Sequence, residues 1–87
     1  MKPGQELIDQ GIIDLVEGRE TIESLLVSIG ASRLREAGVR VPSTTFTSPE
    51  HRLYEMLRME DPYTAHSRYN AFIRRLVSFE RAAECVK

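Results

Sequence analysis

The stretch AHSRYNAFIRRLVSFERAAEC, Ala65 to Cys85, lies within the longest part of the chain that has neither glycine nor proline. At about 100° per residue, Ala65, Tyr69, Phe72, Ile73, Leu76 and Ala83 fall on one broad face. Ser67, Asn70, Arg74, Ser78 and Arg81 fall on the opposite one. That spacing predicts a helix from Pro62 or Thr64 to about Val86, the longest element and the spine of the domain.

Working toward the N-terminus, the spacing stays helical. Ser48-Pro49-Glu50 reads as a helix start, with a capping Ser and Pro at the first helical position. The helix it opens carries Leu53, Met56 and Leu57 inward and ends near Glu60. Residues 39–48, VRVPSTTFTS, form the longest irregular segment, and Phe46 is its lone aromatic. Ser32 to Ala37 is a short helix closed by Gly38. Thr21 caps another that ends at Gly30, with Ile22, Leu25, Leu26 and Ile29 on its apolar face. The first helix spans about Gly4 to Glu17. Leu7, Ile8, Ile12, Leu15 and Val16 form its stripe, and Gly11 near that stripe leaves room for a neighbouring helix. Glu6, Gln10, Asp14 and Glu17 take the other side, and Ile13 sits off the stripe. The fold class is therefore all-α: one domain, residues 1–87, with about five helices, two of them short, packed around a long C-terminal helix.

Bulk composition narrows the function classes. With 41% hydrophobic and 29% charged residues, the chain is too apolar for a disordered one. A net charge of −1 excludes polyanion binding by bulk electrostatics alone. The single cysteine, Cys85, permits no intramolecular disulfide and fits a reducing compartment. MKPGQELIDQ holds no apolar signal core, and no apolar run approaches the roughly 20 residues of a membrane span. A cytoplasmic protein is expected, with no membrane partner. His51 and His66 lack the spacing of a preformed site, so no metal or other cofactor is expected. No phosphate loop or nucleophile motif appears, and no enzyme activity is assigned.

Charge is segregated along the chain. Residues 1–30 hold Lys2 and Arg19 against Glu6, Asp9, Asp14, Glu17, Glu20 and Glu23. Residues 66–87 hold Arg68, Arg74, Arg75, Arg81 and Lys87 against Glu80 and Glu84. The simplest expectation is that the two ends lie together and pair. Arg68 and Arg75 stand at the edge of the last helix's apolar face, where a stem can lie along rings while its head meets a carboxylate. Glu80 projects onto the apolar side, which costs free energy unless it is paired. It is expected to pair with an arginine from another segment, such as Arg33 or Arg40, or to lean to solvent. The alternative is His66 of an antiparallel second copy.

The reading these residues support best is a protein–protein interaction module, binding another protein or a second copy of itself. Its candidate interface is Ile13, Phe46, His66, Arg68, Tyr69, Phe72, Arg75 and Glu80. An alternative is nucleic-acid binding. TIESLLVSIGASRLREAGV has the outline of a helix-turn-helix at about 21–39, with Arg33, Arg35, Arg40, Arg74 and Arg81 as phosphate contacts. The would-be recognition helix is only about six residues long, and Glu36 stands where that motif buries an apolar residue. A third reading is a ligand-binding protein or small enzyme using the polar cluster at 63–74, with His66, Asn70 and Arg74 converging in a pocket.

Overall fold

Thr21-Ile22-Glu23-Ser24 opens the most enclosed helix of the molecule. The computed structural model describes residues 2–85. In it α1 spans Gln5–Val16, α2 Ile22–Ile29, α3 Ala31–Glu36, α4 Pro49–Glu60 and α5 Ala65–Cys85. All five elements are helices, two are short, and the long C-terminal helix packs against the others, as the periodicity predicts. The predicted end of α5 at Val86 lies outside the described residues. The radius of gyration is 12.4 Å, against about 12 Å for a compact chain of this length.

The Thr21 hydroxyl accepts from the Ser24 amide, and the Ser24 hydroxyl accepts from the Thr21 amide, a reciprocal cap at the start of α2. Ser24, Leu25, Leu26, Val27 and Ser28 are then buried in succession. A helix buried on every side needs its neighbours close, and glycine provides this twice. Gly11 of α1 faces Glu23 and Val27, and a Cβ there would stand 2.5 Å from Val27 Cγ2. At Gly30 a Cβ would stand 2.7 Å from Glu80 Oε2 and 2.9 Å from Leu76 Cδ1. So α1 crosses α2 at Gly11, and α5 crosses the α2–α3 junction at Gly30.

The core joins Ile8 and Leu15 of α1, the α2 aliphatics, Leu34, Leu53, Leu57 and the inward row of α5. Tyr54 of α4 and Tyr69 of α5 meet edge to face, with centroids 5.6 Å apart. The 39–48 segment is pinned where the Phe46 amide donates to Ser28 Oγ at 3.2 Å.

Three local expectations are corrected. Val16, placed on the inward stripe of α1, is 73% exposed, since in the last turn of that helix it stands about 100° around from the buried Leu15. Ser48 precedes α4 as predicted but makes no capping bond. Its φ of 47° is left-handed, whereas a capping side chain reaches back from an extended backbone. Asp14 faces inward rather than outward. It follows Leu7 and Gly11 at helical spacing, so it belongs to the row that packs on α2.

Candidate interaction surface

The apolar face of α5 is largely spent inside the chain. Phe79 is core, while Tyr69, Phe72 and Ile73 are half-buried against it. Arg68, at the edge of that face, bonds Glu60 of α4 at 2.8 Å. Arg75 is exposed and has no acidic partner among the described residues, and its carbonyl lies against Gly4. His66 is exposed, with Nε2 at 3.2 Å from Asn70 Nδ2. Phe46 is seated on the core, whereas Ile13 is exposed.

Glu80 is buried at 3% exposure. One carboxylate oxygen is 3.7 Å from Arg33 NH1, and the other lies toward Gly30. Arg33 also bonds Glu84 at 2.9 Å. Burial holds the Glu80 carboxyl above the usual range, Arg33 counters this, and Glu84 adds to it. Glu80 thus has an in-chain partner and no surface to offer another molecule.

Among the residues of the nucleic-acid alternative, Arg33 is held by those two carboxylates. Arg35 donates to the Pro42 carbonyl at 2.6 Å. Helices α2 and α3 are joined by Gly30 alone, where a helix-turn-helix uses three or four residues. Arg40, Arg74 and Arg81 are exposed and meet no acid among the described residues. His66, Asn70 and Arg74 do not converge. Arg74 lines a shallow groove with Pro3, Gly4 and Ser78, and the other two do not.

The apolar side chains most open to water lie on other elements. Met59 of α4 is 83% exposed and Tyr63, in the turn after it, 96%. At Met59 a groove of about 510 Å³ is lined by Met56, Met59, His51, Arg52, Glu20 and Glu60, with Glu55. Its position follows from the α4 sequence. Leu53 and Leu57 are buried, Met56 is half-buried and Met59 emerges, so one helix carries its apolar stripe out of the core. Glu20 reaches the groove from the α1–α2 connection and holds Arg52 at 3.0 Å. Glu55 holds Arg58, and Glu60 holds Arg68. With each lip carboxylate already paired, the apolar lining rather than charge is what the groove presents. The signal in sequence was Met59, three residues after Met56, with Tyr63 beyond it.

Asp14 anchors a second polar arrangement, at 3% exposure. Its Oδ1 accepts from Arg19 at 2.7 Å and from Gln10 at 3.0 Å, and its Oδ2 accepts from the Thr21 hydroxyl at 2.6 Å. The Thr21 bond, then the Arg19 bond, hold its carboxyl below the usual range against the effect of burial. The network ties the end of α1 to the start of α2 and has no open side for a ligand. Among the described residues no three His, Cys, Asp or Glu side chains gather as a metal site, and no helix is long and apolar enough to cross a membrane.

Compared with models of protein families, with curated proteins and with solved structures, the chain matches none.

Proposed function

We propose that the protein is a small interaction module whose groove along α4 takes an apolar segment of another protein. The observation that carries this reading is the exposure of Met59 beside a groove lined by Met56. Methionine is unbranched and polarisable, so it adapts to differently shaped apolar side chains. Exposed apolar surface rimmed by polar residues marks interaction sites. Here the rim is Glu20, His51, Arg52 and Glu60. Since the rim carboxylates hold arginines of the same chain, binding depends little on salt. The exposed free thiol of Cys85 suits a reducing, cytoplasmic setting.

Selection of displayed random peptides on the purified protein tests the reading. Apolar binders are expected to emerge, to lose affinity about tenfold or more with Met59→Glu, and to keep it with Arg81→Glu. Failure of any sequence to enrich, or binders indifferent to Met59→Glu, contradicts it.

A further inference from the structure

Helix α1 turns a row outward that nothing in the chain covers. At about 100° per residue, Glu6, Asp9, Ile13 and Val16 fall within an arc of about 80°. Ile13 is 50% exposed and Val16 73%. Asp9 accepts from Gln5, yet neither Asp9 nor Glu6 meets a cation among the described residues. Helix α5 presents the complement. Asn70, Arg74, Ser78 and Arg81 share a similar arc, with Arg75 at its flank. Those three arginines are exposed and have no acidic partner among the described residues. The groove beside them, about 310 Å³, is walled by Pro3, Gly4, Ala71 and Ser78, small enough to let another helix approach.

The two rows do not meet within the chain. α1 packs along α2, and the ion pairs that close the fold use other residues. Arg19 serves α1, Arg33 serves α5, and Arg52 and Arg68 serve Glu20 and Glu60.

We infer that the occupant of these faces is a second copy of this chain, with α1 of each copy on α5 of the other about a two-fold axis. Glu6 and Asp9 stand against Arg74, Arg75 and Arg81 of the second copy. Ile13 and Val16 lie along the aliphatic stems of those arginines. Burial of the two apolar side chains supplies affinity, and the charges set orientation and register. A two-fold axis makes each contact twice. A polyanion would also suit the arginines, but it leaves the acidic and apolar row on α1 without a role.

Two variants decide the matter by sedimentation equilibrium at low salt. One carries Glu6→Lys with Asp9→Lys, the other Arg74→Glu with Arg81→Glu. All four positions are exposed, so both variants are expected to fold, and circular dichroism checks this. Wild type is expected to dimerise, more weakly as salt screens the pairs. Each variant alone sets like charges face to face and self-associates about tenfold less or worse. Mixed one to one, the variants are complementary at both contacts and recover the association. Met59→Glu leaves it unchanged, which separates this interface from the α4 groove. A wild type that stays monomeric up to about 0.5 mM overturns the inference, that being far weaker than ordinary specific association. So does a dimer indifferent to both variants. A monomer that binds heparin, and loses it only with Arg74→Glu and Arg81→Glu, assigns the α5 face to polyanions instead.

Discussion

Two buried carboxylates carry opposite electrostatic signs. Asp14 sits among donors, and its folded pKa lies below the unfolded value. Its contribution is therefore complete above about pH 4, the unfolded carboxylate range, and is lost as pH falls through the folded pKa. Asp14→Asn is expected to destabilise the protein by about 2 kcal/mol at pH 7 and to converge with wild type in acid, below the folded pKa, as denaturant titrations across pH would register. Glu80 is raised instead. Its favourable, protonated form prevails below the unfolded pKa, and stability attributable to it falls as pH rises through the folded pKa. Glu80→Gln is thus expected to equal or exceed wild type at pH 7, with the gap closing in acid. A loss of more than about 1 kcal/mol would mean that the Arg33 pairing outweighs burial. Glu80 was legible in the sequence, because a carboxylate on the apolar side of a helix demands a partner and Arg33 was a candidate. Asp14 was not. Its partners Arg19 and Thr21 lie past the end of α1, where a helical projection carries no information about direction.

Helices are the scale at which the sequence is most readable. Gly18, Gly30, Pro49 and Pro62 punctuate the apolar periodicity near the observed boundaries. At Gly18 a φ of 75° lets the amide of Arg19 return to the Asp14 carbonyl and that of Gly18 to Leu15, closing α1. The role of Gly11 follows from the same periodicity, since it falls beside the stripe that meets α2. Gly11→Ala in an open helix gains about 1 kcal/mol. Here it is expected to lose about 1–3 kcal/mol instead, because the new methyl meets Val27 and the Glu23 backbone, and thermal melts check the sign. Legibility stops at which helix meets which. Tyr69 and Phe72 read as an apolar face available to a partner, and α4 covers part of it through Tyr54.

For the molecule as a whole, charge segregation along the chain suggested that the acidic start and the basic end lie together. The two ends touch where Pro3 and Gly4 meet α5, yet among the described residues none of their charges pair with one another, because α2 takes the α1 face that periodicity marks as apolar and α5 crosses the α2–α3 junction at Gly30. Local charges are instead neutralised by neighbours, as Arg19 does for Asp14 and Arg68 for Glu60. Two surfaces remain with chemistry to spend: the apolar groove on α4 and the complementary outer rows of α1 and α5. The central claim is that the α4 groove is where another protein binds. The chain has three methionines, Met1, Met56 and Met59, so a sample labelled at the methionine methyls reports on the groove almost alone. On titration with a selected peptide, the Met56 and Met59 signals are expected to shift. A peptide that binds and leaves both of them unmoved would contradict the account.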